Sequence, residues 1–300
     1  MSGTTLENRL QESFRQGRAG GARYWVAYSF PLRPGVVISD ARGVTGPVFD
    51  NYDAARPQGG GQTPVGTRAA LFLLYEPGVS DPAPVRAELS DASRQRVSVA
   101  DGERVYWLGE AGGDESFSLL RRLIETSDTS VKAERRREDV AARLTDAVAL
   151  HEDEPGGRVT SLLRELARGA NATGSRLRAV SWLGRTAGES SFVLGVARDD
   201  GQPREVRKLA VRTLLKGGAN ARGAADSVSL RQLYDAVEDG ELKAEIIDAS
   251  PKRRNQEEVV AFLRGVESSD PDASLRERAS WRLNSKKVLG EKGGRKRRQP

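Results

Sequence analysis

Val105-Tyr106-Trp107-Leu108-Gly109, followed by Gly113, Ser116 and Phe117, recurs as Val180-Ser181-Trp182-Leu183-Gly184, followed by Gly188, Ser191 and Phe192. Seven positions match at one offset of 75 residues, and Asp114 is answered by Glu189. A gapless match at a fixed offset marks a repeat architecture, in which units that cannot bury their apolar face alone stack on their neighbours. The two copies differ in setting. The first follows Asp101-Gly102, a hairpin signal between Val97-Ser98-Val99 and Val105-Tyr106-Trp107, and predicts a strand over 105–108 that closes an N-terminal sheet. The second, at 176–184, has helical spacing.

Downstream of the first copy the apolar spacing is helical throughout. Asp114 to Glu125 reads as the first helix, and one face is shared by Val140, Leu144, Ala147 and Val148. Later faces are formed by Leu162, Leu163 and Leu166; Val206, Leu209, Ala210, Thr213 and Leu214; Leu230, Leu233, Tyr234 and Val237; and Val259, Phe262, Leu263 and Val266. These are short paired helices. The first members align at Ala179, Ala210, Ile246 and Ala279, with intervals of 31, 36 and 33 residues, which also puts Arg176, Arg207, Lys243 and Arg276 in one register.

Upstream the pattern changes. Leu6, Leu10 and Phe14 predict a short amphipathic helix, opened by a capping-box pattern at Thr4-Thr5-Leu6-Glu7. Tyr24 to Phe30 alternates as a strand, Pro31 to Gly35 reads as a turn, and Val36 to Ile38 resumes β character. Residues 41–67 form a long Gly-, Pro- and Asp-rich connection. Strands are predicted again at Arg68 to Glu76 and Val85 to Ser90.

Composition excludes much chemistry. The 300 residues contain no cysteine and one histidine, His151, which removes disulfides, thiolate nucleophiles and most zinc sites and catalytic triads. No apolar run reaches spanning length and the N-terminus lacks signal-peptide character, so the chain reads as soluble and cytoplasmic as it stands. The net charge of +6 resides in residues 286–300, which hold seven basic residues and one acid, leaving 1–285 neutral. A neutral body is a poor match for a helical array that tracks a nucleic-acid backbone.

Pro203 to Ala210 and Pro271 to Ala279, each a turn proline followed by Val-Arg or Leu-Arg and an alanine, resemble bacterial HEAT repeats of the type named after phycobilisome lyases. Val105 to Gly109, Ala147 to His151 and Arg178 to Gly184 resemble HEAT-repeat proteins of soil bacteria. The resemblance covers roughly the last two-thirds of the chain. It implies an α-solenoid that serves as an interaction scaffold. Its relatives are often exported, which would make the chain periplasmic if an export signal had been removed, and the family name alone suggests a tetrapyrrole lyase or isomerase.

Candidate sites are few. Gly61 to Thr67 has a phosphate-loop look but lacks the lysine and the following helix. His151 falls on an apolar face and reads as a partly buried, hydrogen-bonded residue. Trp107, Trp182 and Trp281 read as packing residues. Asn171-Ala172-Thr173 fits a glycosylation acceptor, a pattern of low specificity. Arg164, Arg198, Arg231 and Arg264 recur at intervals of 34, 33 and 33 residues on second helices, a ladder that could face a ligand, against the default of four solvated arginines. The basic end reads as a disordered solubilising tail with weak affinity for nucleic acid or anionic surfaces.

The reading is an α+β chain: a small N-terminal helix-plus-sheet domain at 1–110, an α-solenoid of about five HEAT-like helix pairs at 111–287, and a disordered basic tail at 288–300. Its expected function is non-catalytic binding of a protein partner, with no cofactor, no metal and no membrane span. The alternatives are a tetrapyrrole-modifying enzyme and a polyanion binder acting through the tail.

Overall fold

The computed structural model describes residues 5–34, 38, 67–78, 83–92, 99–130, 134–152, 157–169, 172–220, 228–253 and 255–285. The expectations for Thr4, 35–37, 41–66, Val97-Ser98, Asn171 and 286–300 lie outside them. The chain is mostly helical with a small sheet near its N-terminus, an α+β composition. It divides into two compact units, Met1–Ala179 and Val180–Pro300. The division falls within a helix, and the boundary expected at residue 110 lies inside the first unit.

In the first unit, α1 (Leu6–Ala19) is capped by Thr5, whose side chain accepts from the Asn8 amide at 3.3 Å. Strands β1 (Tyr24–Pro31), β2 (Arg68–Tyr75), β3 (Arg86–Asp91) and β4 (Arg104–Glu110) form one sheet in the order β3-β2-β1-β4. The first three pair antiparallel and β4 joins β1 in parallel. The hairpin expected between Val97-Ser98-Val99 and β4 rests on a first strand of which Val97 and Ser98 lie outside the described residues. Asp101-Gly102 forms a turn, with Gly102 at φ +87° and the Glu103 amide bonded to the Ala100 carbonyl, and β4 neighbours β1.

One face of the sheet carries Tyr24, Tyr28, Phe30, Leu71, Leu73 and Tyr75, all buried. Phe14 of α1 meets Tyr75 edge-on at 4.8 Å. Gly17 is required for this approach, since a Cβ there would stand 2.5 Å from the Tyr24 ring. Helices α2 (Gly113–Ser130) and α3 (Glu134–Ala149) pack on β1 and β3 respectively. The Tyr28 hydroxyl meets Ser116 Oγ of α2 at 3.2 Å. The other face holds Trp25, Ala27, Ala70, Phe72 and Leu74, with Val85 and Ala92 against them. Helix α4 (Arg158–Arg168) follows, then α5 (Thr173–Leu183). Glu138 of α3 caps α5 by accepting the amides of Thr173, at 2.9 Å, and Gly174.

The second unit consists of α6 (Ser190–Arg198), α7 (Arg204–Asn220), α8 (Leu230–Ala236), α9 (Gly240–Ala249), a 3₁₀ turn (Ser250–Lys252), α10 (Gln256–Ser269) and α11 (Ala273–Leu283). Helix α8 packs against α6 and α10, and α9 against α7 and α11, while the pairs α6–α7 and α10–α11 make the closest hairpins. The aligned residues Ala179, Ala210, Ile246 and Ala279 are all fully buried, as a shared helical register requires.

The match at offset 75 does not correspond to one repeated structure. Val105 to Gly109 lies in β4, whereas Val180 to Leu183 lies in α5. Only the second halves agree, since Asp114 to Phe117 lies in the first turns of α2 and Glu189 to Phe192 caps and opens α6. A Val-x-Trp-Leu stretch suits either a pleated edge or a helical face, and its neighbours decide which.

Candidate interaction surface

The register Arg176, Arg207, Lys243 and Arg276 has a structural use in the second unit. Arg207, buried in α7, donates from Nε to the Ala197 carbonyl at 3.2 Å and pairs with Asp200 at 2.7 Å. Arg276 of α11 donates to the carbonyls of Asp270 at 2.7 Å and Pro271 at 3.0 Å. Arg207 thus satisfies a carbonyl in the last turn of α6, which has no intrahelical partner, and Arg276 takes the carbonyls of the residues just after α10. Lys243 instead lies over the Tyr234 ring, 5.1 Å from its centre. Arg176, in the first unit, is half-buried and partnered. A further clamp, Arg253, has no sequence period. Buried beside the 3₁₀ turn, it donates to the carbonyls of Leu214 at 3.2 Å and Val228 at 2.8 Å and pairs with Glu258.

Ion pairs join α7 to α9 and α9 to α11. Arg212 of α7 meets Glu245 of α9 at 2.7 Å, and Lys208 meets it at 3.5 Å. Arg278 and Arg282 of α11 meet Asp248 of α9 at 2.6 and 3.1 Å. Arg204 pairs with Asp239 and Glu241. The hydrogen bond from Arg212 holds the Glu245 carboxyl below its ordinary pKa. This side of the helices is charged and largely self-neutralised.

The four candidate arginines stand on α4, α6, α8 and α10. Arg164, on α4 in the first unit, is half-buried and partnered. In the second unit Arg198 ends α6, Arg231 opens α8 and Arg264 lies in mid-α10, all exposed. Arg231 pairs with Asp235 at 2.8 Å. One of its terminal nitrogens lies 3.9 Å from where a Cβ would stand on Gly265, the neighbour of Arg264. The fold thus brings Arg231 and Arg264 onto adjacent surfaces, with Arg198 on the helix packed against α8. Gln256, Glu257, Val260, Ala261 and Arg264 line a shallow depression along α10.

The tryptophans divide. Trp182 is buried, but Trp107 is 42% and Trp281 62% exposed, so packing is the wrong reading for those two. Arg282 lies over the Trp281 ring at 4.6 Å, and Trp107 lies 6.4 Å from Phe72. Alternation on an edge strand and on an outward helical face leaves room for exposed aromatics that spacing alone assigns to a core.

His151 is 1% exposed. Its ring stacks on Phe30 at 4.5 Å with Phe117 edge-on at 6.2 Å, and Nδ1 lies 2.9 Å from the Ala147 carbonyl. Burial pushes its pKa down to about 4, so the neutral ring is a packing element that donates one hydrogen bond. Among the described residues no cluster of His, Asp or Glu could hold a metal ion, and no helix is long and apolar enough to cross a membrane. Comparison with protein-family models, with curated proteins and with solved structures produced no match to the chain.

Proposed function

We propose that this chain is a non-catalytic protein-binding scaffold whose helices form an α-solenoid of HEAT-like pairs. The observation that carries the reading is the alternation in the second unit, where α8 packs on α6 and α10 while α9 packs on α7 and α11. Pairs stacked in this way build an extended surface from equivalent helices, which suits an elongated partner better than a small substrate. The ion-paired side, where Arg212, Glu245, Asp248 and Arg278 satisfy one another, has little to offer a ligand. Arg198, Arg231 and Arg264, with Val260 and Ala261 beside Arg264 on α10, form the proposed contact face.

A photo-crosslinking residue placed singly at Arg198, Ala261 and Arg264, and for contrast at Arg212 and Arg278, tests this in the native cell. One protein species captured from the first three positions and not the last two is the expected result. Capture from all five alike, or turnover of ester, phosphate, peptide or glycoside substrates that one point substitution abolishes, overturns the proposal.

A further inference from the structure

Among the described residues strand β4 ends the sheet, and its backbone can be oriented from the bonds around it. The Leu32 amide bonds to the Thr67 carbonyl beyond β2, and the Ala111 amide bonds to the Ser29 carbonyl. Even-numbered residues of β1 therefore face β2, and Trp25, Ala27 and Ser29 face β4. In a parallel ladder a residue that faces across bonds to the two residues flanking its register partner. The partners of Trp25 and Ala27 are Val105 and Trp107, so Arg104, Tyr106 and Leu108 take those bonds. Val105 and Trp107 turn their amides and carbonyls outward.

Past this point the edge is closed. The register shifts after Trp107, Gly109 sits at φ +86°, and Arg9 from α1 donates to the carbonyls of Leu108 and Glu110. At Val105 and Trp107 no partner occupies the outward groups among the described residues, and their side chains are 41% and 42% exposed. Proteins ordinarily blunt such an edge with a lysine, a proline or a covering element. Here two of the few exposed large apolar side chains stand on it.

The geometry points to a second copy of this chain as the occupant, with two β4 strands paired antiparallel about a twofold axis at Tyr106. In that register Val105 faces Trp107 of the other copy, and Trp107 faces its Val105, as hydrogen-bonded pairs. The two free donors and two free acceptors of each edge are then matched by the same groups of its copy. The valine–tryptophan pairs cover one another on one face, a favourable β-branched–aromatic combination, and the Tyr106 side chains meet on the other. Such self-complementarity is what a twofold interface demands of a single patch. The shared strand is short and the buried area below that of stable dimers, so association is weak, with Kd in the micromolar to millimolar range.

Sedimentation of the full chain from about 1 µM to 1 mM reads the proposal directly. A reversible monomer–dimer equilibrium is expected, weakened at least tenfold by Trp107→Lys and by Val105→Pro. The proline removes only an outward amide and leaves the bonds to β1 in place. Because the chain has no cysteine, Tyr106→Cys supplies a sole thiol. Opposed non-hydrogen-bonded residues bring their Cα atoms to about 4.5 Å, within disulfide reach, so mild oxidation should yield a covalent dimer, whereas Ser191→Cys should not. A monomer at every concentration, or a dimer indifferent to Trp107→Lys and Val105→Pro with no Tyr106→Cys crosslink, overturns it.

Discussion

The two compact units solve the same packing problem by different means. In the first, contacts join residues far apart in sequence: β1 takes β4 as its neighbour, Arg9 reaches Leu108, and Arg122 of α2 pairs with Glu7 of α1. Its interior is aromatic, with Tyr24, Trp25, Tyr28, Phe30 and Tyr75 buried in the sheet. In the second, the ties join α7 to α9 and α9 to α11, as in Arg212 to Glu245 and Arg282 to Asp248, 33 and 34 residues apart. Guanidiniums clamp carbonyls in both units, Arg9 and Arg68 in the first and Arg207, Arg253 and Arg276 in the second. Contacts confined to neighbours allow a region to loosen in steps, whereas a sheet closed by its most distant strand stands or falls together.

Trp182→Ala breaks the comparison most forcefully. It removes a side chain that is 4% exposed, at a cost of roughly 3 to 5 kcal/mol. Stepwise loosening predicts a broadened or split calorimetric transition and a larger fall in amide protection in α6 and α7 than in β1 and β2. A single transition that merely shifts would mean that the helical unit is as cooperative as the sheet.

Acid should separate the units next. The pKa of His151 falls to about 4 in the fold, against about 6.5 when unfolded. Folding therefore favours the neutral ring, and its contribution is complete above pH 6.5 and lost as pH drops from 6.5 toward 4. The total loss is about 3 kcal/mol. Amide exchange in α3 and β1 should quicken over this window, while that in α9 and α11, in the unit without histidine, should not. His151→Leu should flatten the dependence.

Arg207→Met carries the smallest effect. It leaves the Ala197 carbonyl without its donor, which costs roughly 1 to 3 kcal/mol, and replaces the charge with an apolar side chain of similar reach. Protection at the α6–α7 junction should fall, and Arg207→Lys should restore little of it, because a single ammonium cannot reproduce the guanidinium fork. Full recovery with lysine would mean that charge alone holds the junction.

Much of the element list was legible. The strands near Tyr24, Arg68 and Val85, the strand at Val105 and the helix after Asp114 follow from local alternation and spacing, and the aligned Ala179, Ala210, Ile246 and Ala279 prove fully buried. The partner of β4 was not legible, because alternation says which face a strand buries and is silent on which strand lies beside it. Arg253 was missed for a related reason: it sits in an irregular turn between helices, where no period exists to single it out. The exposure of Trp107 and Trp281 depends on where the sheet and a helical face end, which no window of a few residues contains. The candidate arginines were visible by their period, and Asp235 by its i,i+4 spacing from Arg231, but the approach of Arg231 to Gly265 of α10 became apparent only in three dimensions.

The parallel pairing of β1 with β4 also sets an order of events at birth. Tyr24 pairs with Arg104, 80 residues further along the chain. At ~5–20 residues per second, a ribosome delivers the second partner about 4 to 16 seconds after the first. Throughout that interval the backbone of Trp25 and Ala27 that will bind β4 lacks its native partner. The nascent chain thus offers an unfinished edge to whatever strand or chaperone is nearby, and slower translation of residues 76–104 would prolong the exposure.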